Sequence, residues 1–173
     1  ATDRPFFIFP FDKRSFDFAH AIAPQRTVIT HWDSASDAER FASDGFVQRW
    51  GGVGVTLELG KKGMASHQIA DGVRCGLAAY EAVKQGVPAG SSTGPVYTWT
   101  DRVSWPCGAY VKPVKGLRNF TAVTRGAKIA EVDGREVFAP SEGLILFPRI
   151  LTRRQQRAYL PTELCRILTP IEI

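Results

Sequence analysis

Val53-Gly54-Val55-Thr56-Leu57-Glu58-Leu59-Gly60 (VGVTLELG) is the stretch on which the reading of the fold turns. Its β-branched and leucine side chains mark a strand, and glycines punctuate it on both sides. The apolar residues follow one another without clean alternation, the pattern of a strand covered on both faces. Glu58 breaks that pattern. An ionised carboxylate in an apolar strand is costly unless it is paired or opens on a mouth. In α/β sheets, functional side chains gather at the carboxyl ends of strands, and Glu58 stands near such an end. Two readings follow. One is a general base or acid whose pKa burial has raised; the other is a strand-end carboxylate bonded to a helix N-terminus or a lysine.

Upstream of this strand, Phe6 to Phe9 (FFIF), bounded by Pro5 and Pro10, reads as a buried strand. Ser15 to Ala23 puts Phe16, Ala19, Ile22 and Ala23 on one helical face, and Pro24 ends it. Thr27 to Trp32 (TVITHW) is a second strand. Ser36 and Glu39 form a capping-box pattern that opens a helix carrying Ala38, Phe41 and Ala42. Downstream, Ile69, Val73, Leu77, Tyr80 and Val83 recur at helical spacing, with Gly86 as the cap. The alternation is that of an α/β layer around a largely buried sheet.

The rhythm changes at Val87 to Pro95 (VPAGSSTGP), a linker-like stretch. Residues 1–88 are expected to form the α/β part and residues 95–173 a small β module with a C-terminal extension. Strands are expected at 96–100, 109–112, 127–132, 136–138 and 144–147, with Asp133-Gly134 as a hairpin turn. Trp99, Trp105 and Tyr110 are read as filling the core of that module.

The chain has 173 residues, enough for a real core. Its 22 basic and 17 acidic residues leave a net charge of +5, which suits an anionic small substrate. The one dense basic run, Arg153-Arg154-Gln155-Gln156-Arg157, is short and lacks the striped aromatic company of a nucleic-acid surface. No apolar run is long enough to span a membrane, and neither nucleic acid nor membrane is expected as a partner. Cys75, Cys107 and Cys165 are odd in number and widely spaced, so a disulfide framework is not expected and a reducing, cytoplasmic setting is. His20, His31 and His67 form no zinc-binding spacing, although Asp17 and His20 stand three apart on a helix. Ser91 to Gly94 lacks the remainder of a phosphate loop. Arg14, just beyond the first strand, is either a clamp for a substrate carboxylate or a surface arginine at a helix start. Tyr159 is either a hydroxyl donor into a site or a half-buried tyrosine.

In order and spacing these segments resemble the succinylglutamate desuccinylase/aspartoacylase family, zinc-dependent amidohydrolases related to the zinc carboxypeptidases. VGVTLELG is similar to that family's strand bearing the catalytic glutamate, FFIFPFDKRSF to its strand–arginine segment, and KIAEVDGREVFAPSEGLILFP (Lys128 to Pro148) to its C-terminal β module. The resemblance implies a partial zinc-carboxypeptidase-like mixed sheet with helices, followed by a small all-β barrel or sandwich. It implies that Glu58 activates a zinc-bound water and shuttles its proton, that Arg14 holds a substrate carboxylate, and that Tyr159 contacts substrate. The family's His-Gly-x-x-Glu and Asp-x-His ligand motifs do not occur here. The resemblance therefore implies that Zn²⁺ is held by an N-terminal half outside this chain, that the chain alone is inactive, and that it pairs with that half or with itself. The implied substrate is an N-acyl amino acid or a similar small anion. Two other readings stand beside it: a non-catalytic binding module that kept the scaffold without the metal, and a carboxypeptidase-like enzyme acting on peptides.

Overall fold

The computed structural model describes residues 5–23, 26–30, 42–60, 65–86, 94–106, 110–158 and 161–173. They form two compact units. The first contains the described residues up to Thr98 together with Pro170–Ile173; the second is Trp99–Thr169.

The first unit opens with β1 (Phe6–Pro10), α1 (Lys13–Ile22) and β2 (Arg26–Thr30). Phe6, Phe7 and Phe9 are all buried, as the unbroken apolar run requires of a strand covered on both faces. β1 and β2 are parallel neighbours, and α1 is the crossover that a parallel pair needs. The Asp12 carboxylate caps α1 by accepting from the Ser15 backbone N–H at 2.8 Å. Phe16, Ala19 and Ile22 point into the core, as their spacing predicts. Next come α2 (Ser43–Arg49), β3 (Thr56–Glu58) and α3 (Ser66–Gln85), then the start of β4 (Val96–Ser104). β3 is antiparallel to β1, β4 starts parallel to β2, and the order is β3-β1-β2-β4. Gly86 ends α3 with φ +79°, a conformation that suits glycine. The capping box expected at Ser36 lies outside the described residues; the helix found nearby, α2, starts later.

The second unit holds the remainder of β4 with β5 (Val111–Pro113), β6 (Ala122–Val123), β7 (Lys128–Val132), β8 (Arg135–Phe138), β9 (Gly143–Leu146), α4 (Arg153–Ala158) and β10 (Glu163–Pro170). Its strands fall into two sets, β4-β10-β9-β6 and the antiparallel β5-β7-β8. Asp133 and Gly134 both have positive φ, +48° and +80°, and turn β7 into β8 as the sequence predicts. Ile129, Ile145, Leu164 and Ile167 are fully buried at the centre of its core. Of the expected barrel or sandwich, no closed barrel is found among the described residues, because no strand joins β8 to β6. Trp99 and Trp105 are buried as expected, whereas Tyr110 is exposed with Arg153 over its ring at 5.5 Å.

Candidate active site

Glu58 is the last residue of β3 and pairs with Phe6 at the start of β1. It is half-buried, and burial raises its carboxyl pKa above the ordinary value. No cation among the described residues offsets that burial. Immediately beyond it, Gly60 turns the chain with φ +106°, where a side chain would be strained.

Two sets of hydrogen bonds hold this strand end. Below it, the buried Gln68 in the first turn of α3 donates from Nε2 to the Leu59 carbonyl at 2.9 Å, and its Oε1 accepts from the Ala65 N–H at 3.2 Å. The N-terminus of α3 is thereby tied to the residue that follows Glu58. Above it, the buried Asp44 carboxylate accepts from the Thr56 hydroxyl at 2.9 Å and from the Gly45 N–H at 2.8 Å. Gln48 donates to the carbonyls of Pro10 (3.1 Å) and Gly54 (2.8 Å). The Gly54 N–H donates to Ser15 Oγ at 3.2 Å, and that hydroxyl in turn donates to Asp12. Gly54 lies so close to Asp44 that a Cβ there would stand 2.4 Å from the Asp44 carbonyl oxygen. A Cβ at position 54 would therefore force the backbone at Asp44 to shift, and β3 is fixed relative to α1 and α2 before the chain reaches Glu58.

The structure does not bring Arg14 to Glu58. Arg14 follows the carboxyl end of β1, where its Nη1 donates to the Gly51 carbonyl at 2.9 Å. Glu58 faces Phe6 at the other end of the same strand. Four residues at ~3.3 Å each separate those ends by about 13 Å. The strand ends that carry the two residues are thus apart, because β3 runs antiparallel to β1, a direction that sequence spacing cannot reveal. A cleft of about 380 Å³ opens at Arg14's end of the sheet, lined by Phe11, Ile29, Thr30, Thr98 and Ile171–Ile173, and it too is apart from Glu58. Tyr159 and His31 lie outside the described residues.

Among the described residues no three His, Cys, Asp or Glu side chains converge on a point able to hold a metal ion. His20 is buried against Phe16, with ring centroids 4.4 Å apart; burial lowers its pKa and Asp17 acts against that shift. His67 is exposed. These residues do not make a zinc site. Burial raises both described thiols, Cys75 and Cys165, the latter to about 11, which leaves them protonated and unreactive at neutral pH.

The residues that sequence reasoning missed are Gln68, Asp44 and Gln48. Gln68 carries a legible signal, a glutamine three positions after a helix N-cap. Asp44 and Gln48 bond to strand and loop residues that only the fold brings near.

Solved structures match nearly all of this chain. The X-ray structure of succinylglutamate desuccinylase from Vibrio parahaemolyticus matches 99% of this chain at a TM-score of 0.69 and 14% identity. The fold is shared with succinylglutamate desuccinylases and aspartoacylases. A succinylglutamate desuccinylase/aspartoacylase from Rhodobacter sphaeroides matches 98% of the chain at a TM-score of 0.69 and 16% identity. Murine aminoacylase 3 matches 99% at 0.65 and 15%. The chain covers 52%, 54% and 60% of those structures, so it spans about half the length of the desuccinylase fold. No protein-family model matches the sequence, and no curated protein does.

Proposed function

We propose that this chain is the glutamate-bearing part of an amidohydrolase that cleaves the amide bond of an N-acyl amino acid or a similar small anion. The observation that carries the reading is Glu58 itself: a half-buried carboxyl with a raised pKa, at the end of a strand anchored on both sides, in a fold shared with desuccinylases and an aminoacylase. A carboxyl whose pKa moves up toward neutrality is better matched to taking a proton from water and returning it to a leaving amine. Glu58 Oε atoms would hold that proton between the two events. The zinc that the family resemblance implies would have to be held by side chains outside the described residues. Glu58's part is argued from its own proton chemistry alone.

Hydrolysis of a panel tests the reading. The protein, with whatever polypeptide accompanies it natively, is given N-succinyl and N-acetyl amino acids, dipeptides and C-terminally blocked peptides, and amine release is followed. Turnover of the N-acyl amino acids is expected. Turnover confined to peptides would favour a carboxypeptidase-like enzyme, and no turnover of any of them a binding module; either result would overturn the proposal.

A further inference from the structure

Helix α3 has two unlike faces. Its small residues point inward: Cys75 and Ala82 are buried, and Ala78 and Ala79 pack half-buried on the core beneath α1. Its large apolar residues point outward. Ile69, Val73, Leu77, Tyr80 and Val83 are between 45% and 71% exposed. At 3.6 residues per turn they share an arc of about 120°, centred roughly 140° from the buried face. Gly76 falls in the same arc, and a Cβ there would meet nothing. A helix whose outer face met only water would carry the opposite pattern, and contiguous apolar stripes of this length rarely stay bare.

The stripe adjoins an open sheet edge. β3 begins the strand order and pairs only with β1, so among the described residues its second edge has no neighbour. α3 packs on the residue that follows it: a Cβ on Gly72 would lie 3.3 Å from Leu59 Cδ1. An unpaired edge beside an uncovered apolar helix is the surface left when the next strands and helix of a layer are taken away. The length of the solved structures says what those are, because this chain spans only about half of them.

We infer that the α3 stripe and the outer edge of β3 together dock the polypeptide equivalent to the part of the desuccinylase fold that this chain does not span, on the same chain or a separate one. The partner adds a strand beside β3 and lays apolar side chains over Leu77 and Tyr80. The inference rests on the fold likeness and not on the proposed chemistry, so a crosslink and an activity assay fail independently.

The test is a photo-crosslinking amino acid placed at Leu77, in the protein as its own cells produce it, with a control probe on the polar face at Arg74. The expected result is a crosslink from position 77, and little from 74, to peptides of a segment that superposes on the unspanned half of the solved fold. Crosslinks to a second copy of α3, crosslinks to an unrelated polypeptide, or equal and negligible yields at both positions would each overturn it. In parallel, the double variant V73D/L77D should weaken association with that segment at least tenfold while the circular dichroism of this chain stays unchanged; undiminished association would also overturn it.

Discussion

The two units of this chain use their largest apolar residues in opposite ways. In the second, Ile129, Ile145, Leu164 and Ile167 are fully enclosed by that unit's own strands. In the first, the aromatic residues of β1 are enclosed but the longest helix turns its large side chains outward. The second unit satisfies its own core. The first has a core under α3 and a second apolar surface over it, beside the strand that carries Glu58. The candidate catalytic residue thus lies on the strand next to that exposed apolar surface.

Substitutions sharpen that contrast, beginning with the largest effect. Ile167→Ala should cost about 2–5 kcal/mol, as other enclosed large-to-small changes do, in urea denaturation. If it costs no more than a surface change, the second unit's core is not closed as described. Gly54→Ala should cost about 1–3 kcal/mol, because its Cβ cannot be placed without moving Asp44 and with it β3. Gln68→Ala should cost about 1 kcal/mol, for two hydrogen bonds with partly exposed partners. Glu58→Gln should change the pH dependence. The folded state holds the Glu58 proton more tightly than the unfolded chain does, so wild-type stability drains away as pH rises through the carboxylate range to the raised pKa. The variant escapes that loss, and its stability should gain on wild type as pH rises above the ordinary glutamate value of 4.5. A stability gap that is flat with pH would show that burial does not raise Glu58. Leu77→Lys should cost less than about 0.5 kcal/mol in this chain alone, because its side chain loses little packing.

Much of the first unit was legible because its elements obey local rules: a continuous apolar run for β1, a 3.6-residue period for α1 and α3, a glycine where α3 ends. The period that identified α3 did not reveal that its apolar stripe would face outward, since periodicity says that a face is apolar and not what covers it. α2 was hidden because it buries Asp44 and exposes Phe46 and Val47, with Trp50 exposed just past its end, the reverse of an amphipathic signal. β10 was missed for a related reason. Leu164 and Cys165, then Ile167 and Leu168, are buried in adjacent pairs on both faces, which matches neither alternation nor a helix. The basic run before it read as a solvated face, yet Gln156 within it is buried and bonds to both the N–H and the carbonyl of Val111, at 2.9 and 2.7 Å. Glu58 stood out because it violates its own strand. Of the residues that anchor it, Gln68 follows a helix-start pattern, whereas Asp44 and Gln48 obey no local pattern.

The most direct measurement is turnover of an N-acyl amino acid by the assembled protein, comparing wild type with Glu58→Gln at saturating and limiting substrate. Removing a general base from the reacting centre predicts a loss of roughly 10²–10⁴-fold in kcat with KM little changed. A variant that keeps wild-type kcat would contradict the assignment of Glu58.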